Sequence, residues 1–351
     1  MIAGRPFTHG AIALVNLGAQ IDALEPQVSL GRSSVEIRVG FIDLISLRGL
    51  ILGRIADYEN AEEIADQLVH DAPDDASAFL ARARARAVFH RFHDALTDLD
   101  RAERLSLDSE TANSERAAIF QALGRYDEAL ALREEAVRRR ATFESLAALV
   151  GLHSERGEIV AAERRYAESR SRYRGVSPFP LALLDFQMGR MWMDNDQLDE
   201  ARKSFDAARR RVAAYAQAQG HLAEVDAQLG EIDSAVASLQ SLAASADDPD
   251  YAAQLARILG EAGRESESRH WRRLAGDRYD ELLESHPEAF ADHAAEFWLA
   301  AGADPEKALR LARINLDVRD TPRARSLLER AIAARTADLR HESHKENHEL
   351  P

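Results

Sequence analysis

Histidine is the residue type in this chain that could bind a transition metal or act as a base near neutral pH, because the 351 residues include no cysteine. His90 and His93 lie three residues apart, across a predicted hairpin turn. A zinc site needs four ligands, or three with a bound water, and no third ligand follows nearby. We therefore interpret both histidines as turn residues and keep a metal site as the alternative.

A second group of histidines lies near the end of the sequence, among glutamates and at spacings of three and four residues: His341, His344 and His348. This spacing could align the three imidazoles on one side of a helix, where they could bind nickel or copper. The composition is also that of a charged, solvated tail. We predict a disordered tail over 336–351, with metal binding as the alternative.

The sequence Asp292-His293-x-x-Glu296 looks like an acid–base cluster, because His293 and Glu296 are one helical turn apart. It lacks the paired histidines of a metalloprotease helix. No glycine-rich phosphate loop follows a strand, and no serine, histidine and aspartate are arranged as a nucleophilic triad. We interpret the cluster as a hydrogen-bonded structural set, with a binding contact as the alternative. The sequence predicts no catalytic residue, no cofactor and no metal.

These side chains belong to a chain whose main pattern is a turn followed by a helix, clearest from Gly124 to Ala136. Gly124 can adopt the backbone angles that close one helix and reverse the chain. Ala129, Leu132 and Ala136 then fall on one stripe of the next helix. A single helical hairpin of this kind cannot bury both apolar faces alone, so it needs neighbours.

The pattern recurs along the chain, with a small residue in the place of Ala129: Ala61, Ala95, Ala129, Ala162, Ala201, Ala235, Ser268 and Ala308. The steps between these residues are 34, 34, 33, 39, 34, 33 and 40. The residues twelve positions before each member are also mostly small. A third periodic series of residues lies seven positions after each member. This periodicity predicts stacked helical hairpins with no separate globular domain.

The pattern resembles the tetratricopeptide repeat family over about 290 residues, most specifically in Gly-Arg-Tyr-Asp-Glu-Ala at 124–129. The resemblance implies an all-α fold, an α-solenoid of about eight helix-turn-helix repeats that form a right-handed superhelix. It also implies a concave groove lined by the first helix of each repeat. The last two units depart most from the pattern, at Ser268, Glu296 and Asn315.

We expect three segments along the chain. Residues 1–41 form an N-terminal capping region, whose helix runs from about His9 to Leu24 and is closed by Pro26. The solenoid occupies 42–335, with a possible joint at 174–180, where two prolines and a glycine interrupt the pattern. Residues 336–351 are the charged tail.

The formal charge of −15 and a sequence pI near 5.3 disfavour binding to nucleic acid, whose phosphates require basic patches. No apolar run approaches the ~20 residues of a membrane span. A weakly hydrophobic stretch over 11–21 follows Arg5, but no clear cleavage site follows it. We expect a cytoplasmic bacterial protein, with export to the periplasm or the medium as the alternative. The sequence leaves the oligomeric state open.

The resemblance places a partner in the groove, and we predict that residues 182–300 form its principal binding surface. Small residues dominate the groove stripe in the first half of the chain, for example Ala147, Gly151 and Ser154. Larger side chains of the kind that carry binding energy follow in the second half. The predicted partner-binding residues are Phe186, Arg190, Met193, His221, Glu224, Arg257, Phe290, His293 and Phe297. For Phe186 and Phe290, packing against an adjacent helix is the alternative.

The leading hypothesis is therefore a non-catalytic scaffold that binds a peptide or partner protein. The predicted stripe has no lysine, which disfavours the lysine–asparagine clamp that some members of the family use for acidic chaperone tails. Two alternatives stay open. One is a factor that handles a metal or metalloprotein in a bacterial envelope pathway, and the other is the accessory repeat region of a glycosyltransferase-type enzyme.

Overall fold

The computed structural model describes residues 7–31 and 33–348, with side chains as far as residue 340, and every regular element within these ranges is an α-helix. The helices are α1 Gly10–Ser29, α2 Val35–Leu52, α3 Ile55–Asp71, α4 Ala76–Val88, α5 Phe92–Arg104, α6 Ser109–Ala122, α7 Tyr126–Arg139, α8 Phe143–Glu155, α9 Ile159–Arg172, α10 Phe179–Asp194, α11 Leu198–Arg211, α12 Ala216–Gln228, α13 Ile232–Ser245, α14 Asp250–Glu261, α15 Glu265–Ser285, α16 Pro287–Leu299, α17 Pro305–Val318 and α18 Pro322–His348. The even-numbered and the following odd-numbered helices form eight hairpins, α2–α3 to α16–α17. This arrangement is an α-solenoid, and it confirms the predicted fold class.

The periodic alanine series is what holds each hairpin together. All eight of its members, including Ser268, are at most 1% exposed. The absence of a large side chain at these positions lets two helix backbones approach closely. Ser268 remains compatible with a dry interface because its hydroxyl donates to the carbonyl of Ala256 at 2.7 Å.

The hairpin turns use left-handed backbone angles at the position predicted from Gly124. The residues at this position have φ between 54° and 91°, and they are His90, Gly124, Gly157, Asp196, Gly230, Gly263 and Ala303. Such angles reverse the chain after a helix, and glycine adopts them without a steric penalty. In the first hairpin, Gly53 takes this role with φ of 64°. It lies three residues before Ala56, which is the residue five positions before Ala61.

Buried aspartates paired with arginines tie the two helices of several hairpins together. Asp98 on α5 accepts from both Arg82 and Arg86 on α4, at 2.7–2.9 Å. Asp185 on α10 accepts from Arg211 at the end of α11, at 2.6 Å. A buried carboxylate is tolerated only when charged hydrogen bonds compensate its lost hydration. These pairs therefore fix the register of the two helices in the hairpins that contain them.

Three boundaries differ from the sequence predictions. The first helix continues through Pro26 to Ser29, because the carbonyls of Pro26 and Val28 accept from the backbone of Leu30 and Gly31 and close the helix there. Helix α2 begins at Val35, with Ser34 as its N-cap, inside the segment assigned to the capping region. The last helix continues to His348, through the segment predicted to be disordered from residue 336.

Packing divides the described chain into two compact units. The first contains residues up to 87, 92–121 and 125–248. The second contains the turns Val88–Arg91 and Ala122–Gly124 together with the chain from Pro249 onward. Within the first unit, α1 packs on α2, its first residue, Gly10, lies against the carbonyl of Arg211, and α2 also contacts α12.

Candidate functional site

A cavity of about 320 Å³ opens in the first unit, where α2 approaches α8 and α10. Its walls are largely apolar, and its polar side chains are those of Ser177 and Gln187. The lining residues are Leu47, Phe143, Ala147, Ala148, Ser177, Phe179, Pro180, Leu183, Leu184 and Gln187. We call this the α8–α10 pocket. It exists because Ala147 and Ala148 leave room on α8 that larger side chains would fill.

A polar surface adjoins the α8–α10 pocket one turn further along α8. Gly151 has no side chain, and a Cβ atom placed there would contact the amides of Gln121 at 3.6 Å and Gln187 at 3.9 Å. Gln121 Nε2 donates to Glu155 Oε1 at 2.6 Å, while Gln121 Oε1 has no hydrogen-bond partner. The backbone of α8 at Gly151 is therefore flanked by two amide side chains, at the edge of an apolar pocket.

Glu155 is open to solvent along this surface, yet side chains from three other helices surround it. Burial raises the pKa of Glu155 above its ordinary value, and hydrogen bonds from Gln121 and Tyr126 and the charges of Arg190 and Arg133 only partly oppose the effect. Arg133 lies between α7 and α8, where its guanidinium donates to the carbonyl of Ala148. Burial lowers the pKa of Arg133 to about 10.

A second charged group lies one turn from Leu47 on α2. Arg84 on α4 lies 3.5 Å from Asp43 on α2 and donates to Glu115 on α6 at 2.7 Å. Burial raises the pKa of Asp43, an effect that Arg84 opposes and Glu115 reinforces. This group thus comprises two carboxylates and one guanidinium.

The structure corrects the predicted role of two aromatic residues. Phe186 is 8% exposed and belongs to a buried aromatic cluster, with its ring 5.6 Å from that of Phe205 and 5.3 Å from that of Tyr215. Phe297 is 4% exposed and packs against Tyr279. Both side chains pack in the core because they point toward neighbouring helices, so neither can contact a ligand in a groove.

Three of the other predicted residues lie near this aromatic cluster in the first unit. His221 stacks on the Phe205 ring at 5.3 Å, and its Nδ1 lies 3.6 Å from Glu224 Oε2. Both are half-buried, and so is Met193, which packs against the main core. Arg190 is exposed and lies close enough to Glu155 to affect its ionisation. Of the predicted residues in this unit, Arg190 is the one that the structure places beside the α8–α10 pocket's polar edge.

The remaining predicted residues lie in the second unit. Arg257 is half-buried and its guanidinium is 3.3 Å from Glu261, and Phe290 is half-buried. His293 is half-exposed, with Nδ1 3.6 Å from Asp250 and Nε2 3.9 Å from Asp292. These positions are compatible with contact to a partner, and the assignment of residues 182–300 as the principal surface stays a prediction.

The Asp292–His293 cluster is held by charge. Burial opposes ionisation of Asp292, but the positive charges of His293, Arg319 and His90 outweigh it and lower its pKa to about 2. The charge of Asp292, more than any other group, raises the pKa of His293 to about 9. Asp292 accepts from Arg319, and Glu296 pairs separately with Arg330. These contacts are those of a hydrogen-bonded structural set.

His90, one of the histidines considered for metal binding, contacts the backbone of α16. His90 lies in the second unit, where its Nδ1 donates to the carbonyl of Glu288 at 3.0 Å. Burial lowers the pKa of His90 to about 4. Within the part of the chain whose side chains are described, no three histidine, aspartate or glutamate side chains converge as metal ligands. The side chains of His341, His344 and His348 lie outside that part, so metal binding there stays a prediction.

No protein-family model and no curated protein matches the chain. Solved structures do match it. The human IFIT1 dimer with m7Gppp-AAAA superposes with a TM-score of 0.57 at 15% identity, over 90% of this chain and 76% of IFIT1. The APC/C hetero-tetramer Cut9–Hcn1 gives a TM-score of 0.50 at 16% identity, over 89% of this chain and 52% of that one, so this chain spans about half its length.

Both of these proteins are built from tetratricopeptide repeats. The chain has a tetratricopeptide-repeat fold. At this identity the likeness establishes the fold alone, and it confirms the resemblance predicted from Gly124–Ala136. None of the helices within the described residues combines the length and the apolarity that crossing a bilayer requires.

Sequence reasoning missed most of the pocket. Ala147 and Gly151 were recognised as small groove positions, but Leu47, Leu183 and Gln187 were not singled out. Leu183 and Gln187 follow the same four-residue spacing on α10 as Ala147 and Gly151 on α8, which is a signal that the sequence does contain. Leu47 is about 100 residues away in the chain, and no local pattern predicts its approach to the pocket.

Proposed function

We propose that this chain is a non-catalytic scaffold that binds an extended segment of a partner protein on the first unit. The observation that carries the proposal is the α8–α10 pocket, an apolar cavity bordered by amide and carboxylate side chains. Ligand pockets have volumes of roughly 300–1,000 Å³, so the cavity of about 320 Å³ suits one or two side chains rather than a folded domain.

Peptide recognition explains both parts of the site. An apolar side chain of the partner would fill the pocket, and its main chain would cross Gly151 between Gln121 and Gln187. Amide side chains carry both donors and acceptors, as a peptide backbone does, so the two glutamines suit an extended main chain. Peptide-recognition domains can gain affinity from hydrogen bonds to the main chain and specificity from pockets for side chains.

RNA is a less suitable ligand for this surface. The IFIT1 structure contains m7Gppp-AAAA, and phosphates require a surplus of cations. Beside the α8–α10 pocket, the exposed guanidinium of Arg190 is outnumbered by the exposed carboxylates of Asp43 and Glu155. The chain as a whole carries a formal charge of −15.

The test is a selection of random twelve-residue peptides displayed on phage, on immobilised protein and on a variant whose pocket is filled. Ala147→Phe places a ring in the pocket from its half-buried wall on α8. Ala131→Phe adds the same ring to an exposed position on α7 and is the matched control. We expect the native protein and Ala131→Phe to enrich the same peptides with a shared apolar residue, and Ala147→Phe to lose them.

Thermal unfolding followed by circular dichroism verifies that both variants fold. Leu183→Lys, which introduces a charge at the half-buried pocket wall, provides a second way to block the site without a larger ring. Enrichment of the same peptides by both blocked variants would refute the proposal, and so would the absence of any enriched peptide on the native protein.

A further inference from the structure

The polar edge of the α8–α10 pocket has a fixed geometry relative to the pocket itself. Ala147, Gly151 and Glu155 follow one another at four-residue steps on α8, so they lie along one face of the helix. Eight residues of α-helix rise about 12 Å from Ala147 to Glu155. Between them, the amides of Gln121 and Gln187 approach the helix at Gly151, which has no side chain.

An extended peptide advances about 3.3 Å per residue, so about 12 Å corresponds to three or four positions. A long flexible side chain on the peptide can extend toward Glu155, and this shortens the spacing required along the peptide by one or two residues. One peptide can therefore place one side chain in the pocket and another at Glu155 when the two side chains are two to four residues apart.

Charge determines which side chain suits the second site. Glu155 accepts a hydrogen bond from Gln121 at 2.6 Å, and two arginines lie near it. One of these, Arg133, points into the interface between α7 and α8, where it donates to the Ala148 carbonyl. Glu155 is nevertheless an exposed residue. On α2, Asp43 adds a second exposed carboxylate one turn from Leu47.

We propose that the segment bound here combines an apolar anchor in the α8–α10 pocket with a lysine or arginine two to four positions away that pairs with Glu155. The inference rests on the proposed function, because it names the chemistry of the partner for the same site. The raised pKa of Glu155 supports it, since a carboxylate that its surroundings compensate incompletely gains from an added cation. The exposed amide of Gln187 remains available to the peptide main chain between the two side chains.

The experiment uses three fluorescein-labelled, acetylated dodecapeptides on a glycine–serine background, titrated with the full chain and followed by fluorescence anisotropy. The first carries leucine and lysine three positions apart, the second leucine and glutamate, and the third alanine and lysine. We expect the first to bind roughly tenfold more tightly than either of the others, as a charge-assisted hydrogen bond and a buried leucine each contribute.

Glu155→Gln keeps the shape and the hydrogen-bonding capacity of the side chain but removes its charge. It should abolish the preference for lysine over glutamate and leave the preference for leucine over alanine. Glu200→Gln is the matched control, because Glu200 is an exposed carboxylate on α11 that pairs with Lys203. The lysine preference should also weaken as salt is raised from 50 to 500 mM, because screening acts on exposed charges.

The outcomes separate this inference from the proposed function. Equal or tighter binding of the leucine–glutamate peptide overturns the inference, and leaves the pocket as a site for apolar side chains. An unchanged lysine preference in Glu155→Gln also overturns it. Equal binding of the leucine–lysine and alanine–lysine peptides, or no binding of any probe at millimolar concentration, overturns the proposed function as well.

Discussion

Replacing Gly124 with alanine tests the packing of a hairpin turn in the second unit. Gly124 has φ of 81°, and a Cβ atom at this position would overlap the carbonyl oxygen of Asp320, the residue before Thr321. Backbone atoms cannot move aside as the end of a flexible side chain can. The substitution therefore combines two penalties, a left-handed backbone angle and a steric overlap.

Gly157 provides a matched control for the first penalty. Its φ is 72°, and a Cβ atom there would meet nothing within 4 Å. A left-handed conformation costs an L-residue roughly 1–2 kcal/mol, part of which is offset because alanine restricts the unfolded chain. We expect Gly157→Ala to lower the free energy of unfolding by about 1 kcal/mol. Gly124→Ala should lower it by a further ~1–3 kcal/mol, the usual penalty for overpacking.

The measurement is urea denaturation of both variants and the native protein at one temperature, followed by circular dichroism. Gly230 and Gly263 also have left-handed backbone angles, and a Cβ atom at either would meet nothing within 4 Å. Their alanine variants should therefore lose about as much free energy of unfolding as Gly157→Ala. Equal losses for Gly124→Ala and Gly157→Ala would show that the Asp320 carbonyl does not lie against this turn, and the described packing of 122–124 would be wrong.

Three other outcomes follow from the structure. Phe205→Ala should lower the free energy of unfolding by about 3–5 kcal/mol in urea titrations, because the ring is fully buried in the aromatic cluster with Phe186; a loss below 1 kcal/mol would contradict that packing. The charge of Asp292 raises the pKa of His293 to about 9, so its contribution to stability is complete below the unfolded pKa near 6.5 and lost as pH rises through about 9. His293→Gln should flatten the stability profile between these pH values in thermal unfolding, and an unchanged slope would count against the pairing. Fluorescein-labelled m7Gppp-AAAA should show no anisotropy change with micromolar protein at 150 mM salt, since the pocket edge has more exposed carboxylates than guanidiniums; saturable binding would contradict this charge argument.

The repeat architecture could be predicted because its signals are local. A small residue every 33 to 40 positions reports where two helices approach, and all eight of these positions are buried in the structure. Seven of the eight turns follow from the same register, with a left-handed residue five positions before the small residue, and the first hairpin turns earlier, at Gly53. His90, Asp196 and Ala303 adopt these angles although few residues other than glycine do.

The orientation of individual aromatic residues could not be predicted in the same way. Phe186 and Phe297 lie on helix stripes that could face either a groove or a neighbouring helix. The structure buries both, because Phe205 from the helix after Phe186 and Tyr279 from the helix before Phe297 approach them. Helical periodicity gives the direction of a side chain around its own axis, but it carries no information about which other helix lies there.

The sequence by itself determined the fold class, the number of hairpins and the positions of their turns, because each depends on spacings shorter than about 40 residues. Only the tertiary structure decided where a ligand could lie. The α8–α10 pocket needs Leu47 from α2 beside Ala147 and Leu183, which are about 100 and 136 residues further along the chain. That approach depends on how successive hairpins rotate as they stack, and the rotation is a sum of many small packing contacts that no local pattern encodes.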